Sequence, residues 1–382
     1  HLFQGADLRH FLGDWTSSDR PPLQTAILLL VRPVFPFLTI NLNVAYELAS
    51  AVAQLVWLPA AWLLCVRARF APRRRALVLA FMIFSGFFLY NTVYTWPKLL
   101  AAGLCIAALL FAVTPARENR DASLVLAGVC AALALLAHGS AVFFLAPALA
   151  LAIAFRRLPF ARGLAWAAVA GVVLLLPWSA YQRFYDPPGD RLLKMHLAGI
   201  QNVDPRPAGV AIAQAYARAA PGEIVRYKLA NVQTALGASP LLASASEGEP
   251  ANAVVRWRLH EREQMTTAFG ALNLGWLVLV WWAFARSGDA AARRTVGALL
   301  AISLASTLFW CAAMWGPGTT VTTHSAYAVE MVLFIALAAA VAALPMPFAL
   351  VVLGLAVADL AVTWIAGSLA IPGPAAAAGG TG

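Results

Sequence analysis

The sequence predicts an all-α polytopic membrane protein, and three observations carry that prediction. The chain of 382 residues is 62% hydrophobic and only 12% charged, about half the ~25% charged share of an average protein. Its apolar residues arrive in blocks of roughly twenty, the helix length needed to cross ~30 Å of hydrocarbon. The arginines gather in short links between those blocks, as the positive-inside rule requires. The net charge of +10 therefore belongs to a membrane boundary, and no nucleic-acid partner is expected. The prediction is about ten transmembrane helices, juxtamembrane helices and one larger extracytoplasmic loop region.

The chain begins at His1, without an initiator methionine or a basic leader. A further span is expected upstream of it. Leu8, Phe11 and Leu12 repeat at helical spacing among Asp7, Arg9 and His10, a pattern for a short helix lying on the membrane surface. The run Leu23 to Val31 is apolar but is cut by Arg32 and Pro33. It is too short to cross and reads as a juxtamembrane helix. Residues 1–42 are thus expected to form an extracytoplasmic juxtamembrane segment.

Asn43 to Val66 is the first full crossing, and it runs into the basic cluster Arg67, Arg69, Arg73, Arg74 and Arg75, which marks the cytoplasmic side. The links then alternate. Trp96-Pro97-Lys98, His138-Gly139-Ser140, the polar stretch from Tyr181 and the segment Trp315 to Ser325 fall outside. Arg117 to Arg120, Arg156 to Arg162, Arg286 to Arg294 and Pro345 to Pro347 fall inside. Residues 43–180 and 266–368 are expected as two transmembrane bundles. Residues 181–265 are expected as an extracytoplasmic cap with helices near Val210 to Ala219 and Ile224 to Leu236, and 369–382 as a disordered tail. The cysteines Cys65, Cys105, Cys130 and Cys311 all sit in apolar runs, with neither metal-site nor disulfide spacing, and read as small core residues.

The stretch Gly13-Asp14-Trp15-Thr16-Ser17-Ser18-Asp19-Arg20-Pro21-Pro22-Leu23 places two carboxylates and a guanidinium at the edge of an apolar run. Two readings compete for it. Ser18 or Asp19 ahead of Pro21 is an N-cap signal followed by proline at the first helical position. Alternatively, charges gathered at a membrane lip meet a charged substrate. The same ambiguity attaches to Lys98, which either snorkels to the interface or binds ligand, and to His138, His324 and the intramembrane acid Glu330. Tryptophans such as Trp57, Trp96 and Trp315 read as interface belt.

Gly13-Asp14-Trp15 followed by Asp19-Arg20-Pro21-Pro22-Leu23, a crossing that ends in a basic loop, and the later His138-Gly139 together resemble the GT-C superfamily of polyprenyl-phosphate-dependent glycosyltransferases. The likeness is to its protein-mannosyltransferase and aminoarabinose-transferase branches. It is sharp over about a dozen residues and otherwise rests on topology. Relatives often carry Lys-Gly where this chain has His138-Gly139. A second outer-loop acid, usual in the family, is replaced by Thr95-Trp96-Pro97-Lys98.

The resemblance implies an integral membrane enzyme of a bacterial inner membrane, with its site on the extracytoplasmic face. It would move a hexose or pentose from a polyprenyl-phosphate donor to a glycan, lipid or protein acceptor. It implies catalytic roles for Asp14 and Asp19, with the principal base upstream of His1. Substrate contacts fall to Arg20, Lys98, His138, Arg191, Lys194 and His324. No cofactor is firmly implied, and a divalent metal stays open. Two other functions compete: a lipid-linked saccharide transporter or flippase, and an O-antigen-type polymerase or ligase, which Arg191, His196 and Arg218 in the large loop would suit.

Overall fold

The computed structural model describes residues 16–38, 41–114, 119–158, 161–187, 189–235, 267–285, 290–316 and 327–370. Every regular element among them is helical. A 3-10 turn at Ser17–Asp19 leads into α1 (Leu23–Val31) and a second 3-10 segment, Arg32–Leu38. The first half then runs through α2 (Leu42–Gln54), α3 (Trp57–Arg67), α4 (Pro72–Ile83), α5 (Gly86–Val93), α6 (Lys98–Val113), α7 (Arg120–Ala137), α8 (Val142–Ala154) and α9 (Ala161–Ala180). The cap follows as α10 (Arg191–Ala198), α11 (Ala208–Arg218) and α12 (Pro221–Ala235). The chain closes with α13 (Gly275–Ala285), α14 (Ala290–Ala313), α15 (Tyr327–Val341) and α16 (Met346–Ala370).

Four of these segments are long and apolar enough to cross a membrane: Leu42–Arg67, Arg120–Ala137, Arg162–Tyr185 and Ala292–Ala313. The pair α4 and α5 adds a fifth if its 59° bend is one broken span. Lys98–Val113 has 16 residues, about 24 Å at 1.5 Å per residue, which is less than the hydrocarbon thickness. By length, then, the described helices give four or five crossings where about ten were expected. The remaining apolar stretches run to 10–17 residues by that measure, α16 being counted over Met346–Val362. The expected crossing Asn43 to Val66 is present, with a hinge at Leu55 and Val56 between α2 and α3. The juxtamembrane α1 and the two cap helices fall where the sequence placed them.

Helix α15 is the centre of the core. Every residue from Tyr327 to Val341 is buried, Glu330 included. Around it α6, α4, α13 and α14 supply Leu99, Ile106, Phe81, Met82, Trp282 and Trp310. An aromatic group ties this core together, with Phe88 edge-on to Phe334 at 5.1 Å and Phe87 against Tyr327 at 5.0 Å. Cys65, Cys105 and Cys311 are buried free thiols, and Cys130 is half-buried. In contrast, α9 turns Trp166, Val169, Val172, Val173 and Leu176 outward, the composition of a lipid-facing surface.

Small residues set how closely helices meet. A Cβ on Gly103 of α6 would lie 2.9 Å from the Trp57 nitrogen, so α6 and α3 touch backbone to backbone.

Candidate functional site

The anchor stretch folds back on itself before it meets anything else. Asp19 Oδ2 accepts the Thr16 N–H at 3.0 Å, and Thr16 Oγ1 lies 3.0 Å from Ser18 Oγ. The expected cap of α1 is not formed. The residue ahead of that helix is Pro22, which has no side-chain cap bond, so Asp19 caps the 3-10 turn instead.

The turn is then held from the far side of the chain. Asp186 accepts Ser17 Oγ–H at 2.7 Å and Ser18 N–H at 2.9 Å. Gln182 donates to the Ser18 carbonyl at 2.9 Å and to the Gly189 carbonyl at 2.8 Å. Gln182 belongs to, and Asp186 immediately follows, a π-helical turn, Tyr181–Tyr185, a geometry found mostly as single turns and often at functional sites.

With its turn pinned, Arg20 lays its guanidinium over the Trp96 ring, 5.2 Å from the centroid. The Lys98 ammonium lies 4.2 Å from the same centroid and 5.2 Å from that of Tyr327. The His138 ring stands 6.4 Å from Trp96. Three side chains expected to bind substrate, from sequence positions 20, 98 and 138, therefore converge on one indole. Cation–π contact of this kind steadies each cation without neutralising it.

Two buried glutamines fix the Trp96 loop. Gln24 of α1 donates to the Thr95 carbonyl and to Ser50 Oγ. Gln54 of α2 donates to the Trp96 carbonyl, and its oxygen accepts the Leu100 N–H at 2.8 Å. Buried backbone groups in a loop need such partners.

His138 is held by its own neighbour, since Ser140 N–H donates to Nδ1 at 3.2 Å and Ser140 Oγ lies 2.6 Å from it. Burial, then the charges of Lys98, Arg20 and His196, push the pKa of His138 down to about 3. Its imidazole is neutral at any physiological pH. Burial also weighs against the charge on Arg20, and Asp19 beside it restores part; a guanidinium stays protonated regardless.

The other expected residues are placed differently. Lys194 is only 1% exposed; its ammonium pairs with Asp190 at 2.7 Å and donates to the Asp204 carbonyl at 2.6 Å. It serves as a tie inside the cap. The hydrogen-bonding Arg206 guanidinium holds the Asp204 carboxyl well below the usual carboxylate range, which completes that tie. Arg191 donates to the Gln201 carbonyl at 3.1 Å on the surface. Asp14 and His324 lie outside the described residues.

His196 is the cap residue whose charge reaches His138, and its carbonyl accepts the Trp315 N–H at 2.7 Å. Gly199, at φ +73°, ends α10 in the left-handed region, and a Cβ there would meet the Trp315 ring at 2.6 Å. Only glycine satisfies both demands. Lys228 and Asn231 of α12 donate to the Met314 carbonyl. The cap is thereby docked on the end of α14, beside the Trp96 group.

Sequence reasoning missed Trp96, taken as interface belt, together with Gln24, Gln54 and Asp186. A polar residue within an apolar run, as at Gln24 and Gln54, was the available signal. Among the described residues, no group of three or more His, Cys, Asp or Glu could hold a metal ion.

Fold and site together define an all-α, multi-pass membrane protein with a cation-lined polar site at one end of its bundle. No protein-family model matches the chain, and no curated protein matches it. Among solved structures, that of ArnT from Cupriavidus metallidurans in the apo state aligns over 81% of this chain and 70% of its own, at 15% identity and a TM-score of 0.39. At that score the likeness carries nothing about the site.

Proposed function

We propose that the protein is an integral membrane glycosyltransferase that takes a sugar from a polyprenyl-phosphate donor at the extracytoplasmic face of a bacterial inner membrane. The observation that carries this reading is the convergence of Arg20, Lys98 and His138 on Trp96. An anion is the ligand such a cluster suits, and its place beside apolar helices suits one carried on a lipid.

In the reaction, an acceptor hydroxyl or amine attacks the anomeric carbon. The bond from that carbon to the phosphate oxygen breaks, and its electron pair stays on the phosphate. A single displacement inverts the anomeric centre. Arg20 offers a planar fork to the phosphate oxygens, and Lys98 adds a second charge. Both act where low dielectric strengthens each contact with the leaving phosphate. The acceptor proton passes to a carboxylate. Asp14 and Asp19 are the candidates to orient the acceptor or to hold Arg20, and Asp19 already spends one oxygen on Thr16. A polymerase or ligase using a pyrophosphate-linked donor is the second reading, favoured by His196 beside His138.

Purified protein in lipid nanodiscs, given a labelled undecaprenyl-phosphate sugar and then its pyrophosphate counterpart, tests both. Transfer from the monophosphate donor supports the reading. Transfer from the pyrophosphate alone favours the ligase, and transport without transfer ends both.

A further inference from the structure

We propose that His138 serves the site as a neutral hydrogen-bond donor, its Nε2–H given to a phosphate oxygen while Nδ1 is locked as an acceptor by Ser140. The ligand in this statement rests on the lipid-phosphate reading above, but the locked tautomer does not.

The geometry decides the tautomer. A backbone N–H can only donate, and Ser140 N–H is directed at Nδ1 at 3.2 Å. Nδ1 must therefore present its lone pair, which an imidazolium does not have and a Nδ1–H tautomer does not offer there. The single ring proton is left on Nε2. His138 acts as the N-cap of the 3-10 turn Gly139–Ala141 that opens α8, so the chain's own path into that helix imposes the choice. The Ser140 hydroxyl, 2.6 Å from the same nitrogen, adds a second group on that side.

The groups that bear electrostatically on the ring are Lys98 of α6, Arg20 of the anchor stretch and His196 of α10. Each is positive or becomes so on protonation, and each opposes a second proton on His138.

The consequence is chemical. Arg20 and Lys98 supply two fixed charges, and His138 supplies direction without a third. A sugar phosphodiester on a lipid carries one negative charge, and loss of the sugar leaves a monoester that can carry a second. A neutral donor strengthens its bond as that charge builds, with no proton to release.

The test uses the unaltered chain in nanodiscs, labelled with 15N-histidine, with the His138 signals assigned by their loss in His138→Gln. The expected result is a neutral ring protonated on Nε2 at about pH 6 and about pH 8, whose Nε2–H signal moves when undecaprenyl phosphate is added. A Nδ1–H tautomer, or an imidazolium at the lower pH, overturns the proposal. So does an Nε2–H signal that stays put while tryptophan fluorescence reports that the lipid has bound. If fluorescence shows no binding, the lipid-phosphate reading fails and takes the ligand with it, while the tautomer is still judged by its own signals. In binding, His138→Ala should lose about two- to tenfold in affinity, the range for one neutral hydrogen bond. His138→Gln, which keeps a neutral donor, should lose less, and His138→Lys should not recover it.

Discussion

Gln54 grips the main chain on both sides of Pro97: its nitrogen donates to the Trp96 carbonyl and its oxygen accepts the Leu100 N–H at 2.8 Å. The side chain belongs to α2, and the loop it holds carries the indole and the ammonium of the site. A helix of the first expected crossing thus sets the register of the loop that carries Trp96 and Lys98. Gln54→Leu should leave the Leu100 N–H without this acceptor, at a cost of about 1–3 kcal/mol, while the Trp96 carbonyl keeps the Lys98 N–H at 2.7 Å. Thermal unfolding in detergent should shift downward and lipid-phosphate affinity should fall with it. An unchanged unfolding temperature would show that water replaces the glutamine.

Arg20 and Lys98 share a ring but not a burial environment, and their substitutions should separate. Arg20→Ala should reduce turnover and lipid-phosphate affinity by about 10- to 100-fold, the scale of a lost charged hydrogen bond, with little change in unfolding temperature. Arg20→Lys should recover only part, since an ammonium lacks the planar fork. Wild-type kinetics in Arg20→Ala would remove that residue from the site.

Lys194 offers the contrast. Its ammonium is buried on Asp190 and the Asp204 carbonyl, so Lys194→Met should strand the Asp190 charge. Removing one partner of a buried ion pair typically costs about 3–5 kcal/mol, somewhat less here because Asp190 retains some contact with water. The expected outcome is a destabilised cap, read as faster proteolysis of residues 190–235, with lipid-phosphate affinity in the surviving folded protein near normal. A selective loss of affinity with no loss of stability would return Lys194 to the ligand site.

Acidification should weaken the fold through His138. Its folded pKa is depressed to about 3, below an unfolded value of about 6.5. The unfolded chain therefore binds more protons between those limits, and stability falls as pH drops from about 6.5 towards 3. The effect is blunted because the ring keeps some exposure to solvent. The unfolding temperature of the parent chain should drop more between pH 7 and pH 5 than that of His138→Gln. Equal drops would assign the acid sensitivity to other groups.

Asp186 is the latch for the anchor stretch. Asp186→Ala should free the Ser18 N–H and leave the Ser17 hydroxyl with Tyr181 alone, loosen the turn that aims Arg20, and raise the donor KM several-fold. Asp186→Asn, which keeps an acceptor oxygen, should lose less.

The membrane class, the position of α1 and the two cap helices were readable because apolar block length, a proline interruption and helical spacing are local signals. The convergence of Arg20, Lys98 and His138 was foreseen only as separate residues on one side. What joins them is Trp96, which has Lys98 two positions on but draws Arg20 and His138 from 76 and 42 positions away. Spacing along the chain cannot report that. Asp19 shows the opposite failure. An N-cap signal before Pro21 was present, but the carboxylate turned back to Thr16 because the proline pair delays the helix by two residues. Lys194 was expected as a substrate contact at the outer face, and the structure buries it on Asp190, one turn earlier. Of the expected crossings, four or five described segments reach full spanning length, while the other apolar stretches run to 10–17 residues, because hydropathy registers apolar composition and not where a helix ends.

Tyr327, whose ring faces Lys98, begins a helix buried along its whole length, whereas Gln182 and Asp186 follow the end of α9, whose apolar side chains turn outward. One side of the residue group rests on the core and the other on a helix that the core barely covers. The two cations are thus anchored independently: Arg20 follows the turn that Asp186 and Gln182 hold, and Lys98 follows the packed core.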